Sequence, residues 1–212
     1  AQERVTKRGG DTTGQFGGAP RPIVIGPAVP VQGVRAAPVG IPGRGPLLPR
    51  APGADVVGFG DDGVWIALSR GNGQFEPAAF VLQNFGYNQA WRVDQHPRLL
   101  ADLNGDGLSD LVGFGNDGVW TALCTGQPAG TSASVGQAKF ALANLGFNQG
   151  WRVDRHPRML ADLTGDKRAD IVGFGNDGMW VALGHGGGGF ADARLAVGDL
   201  RYNQGWLFHV HE

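Results

Sequence analysis

The stretch Arg98-Leu99-Leu100-Ala101-Asp102-Leu103-Asn104-Gly105-Asp106-Gly107-Leu108-Ser109-Asp110-Leu111-Val112-Gly113-Phe114-Gly115 decides how the chain is read. It sets oxygen-bearing side chains at alternate positions (Asp102, Asn104, Asp106), then a glycine, then Asp110, and runs directly into an apolar strand. Nearly the same text returns from Arg158 through Asp162, Thr164, Asp166 and Asp170 to Val172-Gly173-Phe174-Gly175, and a worn copy survives as Asp55-Val56-Val57-Gly58-Phe59-Gly60. Asp55, Asp110 and Asp170 recur at steps of 55 and 60, and Trp91, Trp151 and Trp206 at steps of 60 and 55. Two anchors in the same order at matching spacing mark an internal repeat. The longer middle copy takes its extra length between Thr125 and Gln137, a Gly/Ser/Ala-rich segment where loop length costs little.

Each unit carries four short runs bounded by Gly, Asn, Asp or Pro. In the middle copy they fall at about Arg98–Leu103, Leu111–Gly115, Val119–Leu123 and Lys139–Leu145. Val119-Trp120-Thr121-Ala122-Leu123 alternates as a half-buried strand does, and Asn116-Asp117-Gly118 between two runs predicts a hairpin. Four antiparallel strands per unit of this length is the arithmetic of a β-propeller blade. The predicted fold is therefore all-β, with four-stranded antiparallel blades over residues 55–212 in repeats of about 55–97, 98–157 and 158–212. Residues 1–54 read as a degenerate N-terminal blade or an irregular Pro/Gly-rich segment: prolines between Gly26 and Pro52 remove ladder donors, and Leu47 and Pro49 stand where Asp102 and Asn104 stand later.

Composition narrows the function classes. A net charge of -1, from 18 basic and 19 acidic residues among 212, gives no field for nucleic acid or anionic membrane. No apolar run is long enough to span a bilayer, so no membrane insertion is expected. Cys124 is the single cysteine, which excludes an internal disulfide framework and a cysteine-based zinc site. The chain starts at Ala1 rather than Met, as a processed chain or a piece of a longer one would. No Gly-x-Ser-x-Gly, phosphate-cradling glycine loop or zinc-spaced histidine pair occurs. The carboxylate clusters are repeated, whereas catalysis needs one asymmetric site, so no enzyme is expected.

The acidic loop reads as a calcium loop. Asp102, Asn104, Asp106 and Asp110, with the Leu108 carbonyl, would supply alternating oxygens around a hard cation, and Gly107 permits the turn. The second loop, Asp162, Thr164, Asp166 and Asp170, keeps three carboxylates but has Lys167 in place of the glycine. The competing reading is a structural turn in which Asn and Asp cap their own backbone. Either way the loop serves the scaffold.

The second anchor, Gly86-Tyr87-Asn88-Gln89-Ala90-Trp91-Arg92-Val93-Asp94-Gln95-His96-Pro97-Arg98, returns as Gly146-Phe147-Asn148-Gln149-Gly150-Trp151-Arg152-Val153-Asp154-Arg155-His156-Pro157-Arg158. Followed by the acidic loop and Val-Gly-Phe-Gly, it resembles the repeats of the Psathyrella velutina lectin family. These are fungal seven-bladed propellers that bind N-acetylglucosamine, more distantly similar to the FG-GAP/VCBS-type repeats of integrin-like propellers. The resemblance covers residues 55–212 and implies multivalent sugar binding without catalysis, secretion to an extracellular setting, and glycan partners. Three recognisable units and one worn piece make a partial ring of three to four blades, whereas a closed seven-bladed ring needs on the order of 400 residues. A fragment or a homo-oligomer completing the ring is expected, because an open ring exposes sheet edges.

Pyranose recognition asks for an aromatic face beside amides, guanidinium, carboxylate and imidazole. The candidate pockets at the blade junctions therefore combine Asn88, Gln89, Trp91, Arg92, Asp94 and His96 with Asn116 and Asp117 of the next blade. The second set is Asn148, Gln149, Trp151, Arg152, Asp154 and His156 with Asn176 and Asp177. The last copy keeps Trp206 and His211, but Leu207 and His209 replace the arginine and aspartate. Against the sugar reading, repeated tryptophans in propellers also serve as wedges, the role expected of Trp65, Trp120 and Trp180. Histidines beside proline are often satisfied turn residues, and Arg92 and Arg152 could pair with Asp94 and Asp154. Two other functions stay open on sequence: an integrin-like structural or adhesive propeller that binds protein, and a non-catalytic module of a secreted enzyme.

Overall fold

A computed structural model describes residues 55–70, 72–126, 133–200 and 202. The degenerate unit expected at 1–54 and the last anchor around Trp206, with His209 and His211, lie outside them. The described chain is all-β and antiparallel, with single-turn 3-10 segments at Tyr87–Gln89 and Phe147–Gln149. The first sheet orders β1 (Val56–Phe59), β2 (Val64–Ala67) and β3 (Ala79–Leu82). In the second, β4 (Arg98–Ala101), β5 (Asp110–Phe114) and β6 (Val119–Ala122) are followed by β9 (Lys139–Leu142). A small ribbon of β7 (Cys124–Gly126) and β8 (Ala133–Val135) extends the β6–β9 connection. The third sheet orders β10 (Arg158–Ala161), β11 (Asp170–Phe174), β12 (Met179–Ala182) and β13 (Arg194–Val197).

The three sheets share one register. Phe59 faces Val64, Phe114 faces Val119 and Phe174 faces Met179, so each Asx-Asp-Gly loop closes a hairpin. The glycine's reason is not the one that a two-residue turn would give. Gly118 has φ +146, and a Cβ there would lie 2.0 Å from the Leu142 carbonyl oxygen of β9, so the loop needs glycine to let the outer strand pass.

Packing ties neighbouring sheets together. Phe85 and Leu145, at 0% exposure, plug the seams after β3 and β9, and both hold positive φ (62 and 65). A non-glycine residue in that region costs about 1 kcal/mol or more, offset here by complete burial of a large apolar side chain. Trp91 then slots over Gly113 of the next sheet, where an added Cβ would meet its ring at 2.6 Å. One core cluster accordingly runs from Phe59 and Val64 through Phe85 and Trp91 to Leu111 and Ala122. The next runs from Val112 and Phe114 through Leu145 and Trp151 to Ile171 and Phe190.

Asp110 and Asp170, also at 0% exposure, are clamps. Asp110 accepts the N–H groups of Leu103 and Cys124, and Asp170 those of Leu163 and Gly184. Each carboxylate thus pins the entry of its sheet's second strand to two other chain segments. Burial raises the Asp110 pKa to about 6, against the pull of its two backbone donors.

Candidate functional site

The connection from one sheet to the next builds the site. Gly86 is extended and lies so close to the hairpin of its own sheet that a Cβ would sit 2.5 Å from Gly63 N. That approach lets Tyr87 N–H reach the Gly60 carbonyl and Asn88 N–H the Asp61 carbonyl. The Asn88 side chain completes the docking by donating Nδ2–H to Asp62 Oδ1 at 2.8 Å. In the next copy Phe147 and Asn148 dock on Gly115 and Asn116, and Asn148 Nδ2 donates to Asp117 Oδ1. The chain then turns at Ala90, φ +66, or Gly150, φ +88, and drives the tryptophan into the seam.

Past the tryptophan the segment folds back on itself. His96 N–H donates to the Arg92 carbonyl, and His96 Nδ1 accepts the Arg92 N–H at 3.0 Å. Nδ1 is therefore an acceptor, the proton sits on Nε2, and Nε2–H donates to Asn116 Oδ1 at 2.9 Å. His156, Arg152 and Asn176 repeat the arrangement at 3.1 and 2.9 Å. Desolvation lowers the pKa of both histidines, with the asparagine hydrogen bond opposing it. Both imidazoles are buried, at 2% and 3% exposure, and act as pillars under the hairpin asparagines.

Above each pillar lies a cavity. The first, about 240 Å³, is walled by Trp91 and Trp120, floored by His96 and Gly115, and edged by Asn84, Gln89, Ala90, Asn116 and Asp117. The second, about 300 Å³, repeats every position 60 residues later, with Gly150 for Ala90. Its polar edge is oriented from below. Asn84 Oδ1 accepts the Phe85 N–H at 2.7 Å and the Trp91 Nε1–H at 3.1 Å, so its Nδ2 is left as a donor. Asn116 Oδ1 is likewise held by His96, leaving Nδ2. Asp117 gives Oδ1 to Asn148, and Oδ2 has no partner among the described residues.

Of the residues singled out on sequence, Gln89, Trp91, His96, Asn116 and Asp117 come together, as do Gln149, Trp151, His156, Asn176 and Asp177. Asn88 and Asn148 do not line the cavities, since they fasten the segment to the preceding hairpin. Arg92 and Arg152 turn away too. Their guanidinium carbons stack 3.8 and 3.9 Å from the ring centres of Tyr87 and Phe147, and their Nη1 atoms cap the Tyr87 and Phe147 carbonyls. Asp94 is exposed outside the cavity, and Asp154 pairs with Arg155 at 3.5 Å. Asn84 and Asn144 were missed, although each stands seven residues before the junction tryptophan. Trp120 and Trp180, expected as wedges, are half-buried residues lining the cavities, while Trp91 is buried in the seam and also lines its cavity.

The acidic loops are laced by their own backbone. Asp102 accepts N–H bonds from Asn104, Gly105 and Gly107, and Asp106 accepts that of Leu108. Asp162 does the same for Thr164, Gly165, Asp166 and Lys167, which lower its pKa, the Lys167 N–H most. Arg168 pairs with Asp166. Among the described residues no three His, Cys, Asp or Glu side chains are gathered so that they could hold a metal ion.

No protein-family model matches the chain, and no curated protein matches it. Among solved structures the chain is similar to a lectin of Agrocybe aegerita that specifically recognises non-reducing terminal N-acetylglucosamine. The two are 45% identical, with a TM-score of 0.66, over 72% of this chain and 37% of the lectin. The chain thus spans little more than a third of that lectin's length.

Proposed function

We propose that the chain is a non-catalytic, multivalent carbohydrate-binding lectin of the propeller kind, reading N-acetylglucosamine or related N-acetylated sugars in pockets between adjacent blades. The observation that carries this reading is the pocket repeated at both described junctions with its amide donors already oriented. Asn84 and Asn116 offer Nδ2–H groups suited to an acetamido carbonyl or a ring hydroxyl, and the free oxygen of Asp117 suits a hydroxyl donor. Trp120 offers an apolar ring for the C–H face of a pyranose. Similarity to a lectin of N-acetylglucosamine specificity supports the same chemistry. Pre-pinned oxygens reduce the ordering cost of binding, and repeated weak sites gain avidity without new contacts.

The wider expectations join this proposal. Sheets at residues 56–82, 98–142 and 158–197 are read as successive blades of a ring that other units complete, from the same protein or from further copies. Residues 1–54 are read as a degenerate blade or an irregular segment, and the setting as extracellular. Calcium is proposed as a stabiliser of the Asp102–Asp110 loop. The alternation of oxygens supports it, while the N–H bonds on Asp102 and Asp110 compete with it.

Isothermal titration with N-acetylglucosamine, backed by a glycan array, tests the central reading. Millimolar or tighter binding that Asp117→Ala and Asp177→Ala together remove is the expected result. No binding to any N-acetylated sugar, with or without calcium, overturns it.

A further inference from the structure

The two pockets are the same at every lining position but one, and that position carries an unusual conformation. Residue 90 is alanine at φ +66, and its counterpart 150 is glycine at φ +88. Both follow the 3-10 turn and both edge a cavity. Left-handed backbone favours glycine, so the alanine holds its place at a conformational cost that its sister site avoids. Ala90 is exposed, so packing of its methyl into the core does not compensate that cost. A Cβ built on Gly150 would meet nothing within 4 Å among the described residues. The space that the alanine methyl occupies in one pocket is therefore open in the other, in keeping with cavities of about 240 and 300 Å³.

Resting on the lectin reading above, we infer that position 90/150 is a specificity gate that makes the two pockets unequal. The Ala90 pocket selects a compact terminal N-acetylated pyranose. The Gly150 pocket also accepts one extended by a second sugar residue. Backbone strain of this kind concentrates at binding and active sites, and Ala90 carries it at a cavity edge. One methyl at a pocket wall discriminates ligands by about tenfold. The Asn, Asp and Trp groups are common to both sites, so the difference is in permitted size and not in the chemistry recognised.

The test is titration of the full chain with N-acetylglucosamine and with N,N′-diacetylchitobiose, one pocket at a time. Asp177→Ala silences the second pocket and Trp120→Ala the first, since the Asp117 carboxylate also fastens the segment that builds the second pocket. With the second silenced, Ala90→Gly should raise disaccharide affinity relative to monosaccharide by about tenfold. Gly150→Ala, with the first silenced, should do the reverse. Ala90→Gly relieves backbone strain and carries no steric liability, so it decides the matter even if Gly150→Ala folds poorly. Unchanged affinity ratios in Ala90→Gly, with both sugars still binding, overturn the gate and leave the lectin reading standing. Absence of binding by the unaltered chain removes both.

Discussion

His96 lies in the connection that enters β4 and Asn116 in the β5–β6 hairpin of that sheet, and the imidazole Nε2–H meets the asparagine Oδ1 at 2.9 Å while Nδ1 accepts the Arg92 N–H. One buried ring thus fixes the sheet-to-sheet connection and the orientation of a cavity-edge amide. The pair His156 and Asn176 repeats it.

That dependence gives the protein an acid limit. Burial lowers the pKa of both histidines below the ordinary 6.5, so the unfolded chain binds protons that the folded chain refuses. Stability from this source is present above about pH 6.5 and is lost as pH falls towards the lowered folded values. Protonation at Nδ1 would also break the Arg92 N–H bond. Asp110 acts with the opposite sign. With its pKa raised to about 6, the folded state takes its proton first, so its contribution rises between about pH 6 and the unfolded carboxylate value. Melting curves from pH 8 to 5 should show a decline below about 6.5 in the native chain. The decline should vanish in His96→Gln/His156→Gln. An equal decline in that double variant would assign it elsewhere.

Gly113 should tolerate no side chain. An alanine Cβ there would lie 2.6 Å from both the Trp91 and Phe85 rings, and overpacking of this kind costs about 1–3 kcal/mol. Gly58 holds the same register position opposite Trp65 that Gly113 holds opposite Trp120. An added Cβ at Gly58 meets nothing within 4 Å among the described residues. Urea denaturation should show Gly113→Ala destabilised and Gly58→Ala close to the native chain. Equal effects would mean that the Trp91 slot is not the cause.

The strands were legible because the repeat supplied three aligned readings of one alternation, punctuated by Asx-Asp-Gly. The site was legible only in part. Asn-Gln-x-Trp-Arg-Val-Asp-x-His marked a segment that lines the cavity, but not which of its side chains do so. That depends on the left-handed turn at Ala90, which sends Arg92 back over Tyr87. Asn84 carried a usable signal, its recurrence as Asn144, yet between Gln83 and Phe85 it reads as a plain loop residue in one copy. Which tryptophan is wedge and which is wall is decided by how two sheets meet, and alternation within a strand does not encode that.

The acidic loops make a prediction of their own. Lys167 holds φ +68 where the first loop has Gly107 at +83. Lys167→Gly should therefore stabilise the chain by about 1 kcal/mol, seen as a higher Tm. The calcium proposal is checked in the same instrument. Millimolar calcium should raise the Tm of the native chain, and Asp106→Ala should remove the response. A Tm indifferent to both calcium and chelator would leave the loops as backbone-capped turns.

Trp91 and Trp120 share a cavity but should fail differently. Trp91 is 6% exposed, stacks 4.8 Å from the centre of Phe85 and donates Nε1–H to Asn84. Truncating so buried a ring costs about 3–5 kcal/mol, and it also frees Asn84 Oδ1 from one of its two donors. Trp91→Ala should thus lose much of its folding stability, with binding lost as a consequence. Trp120 is half-buried, packs edge-on against the exposed Phe140 at 5.4 Å, and lines the cavity. Its removal takes away less packing but all of the apolar wall at that side. Trp120→Ala should keep a cooperative melt and a native circular dichroism spectrum while pocket-one binding, measured with the second pocket silenced, falls by about tenfold or more, since the apolar face of a pyranose loses its aromatic partner. Retained sugar affinity in a folded Trp120→Ala would move the aromatic contact to the Trp91 edge and reverse the roles argued for the two rings.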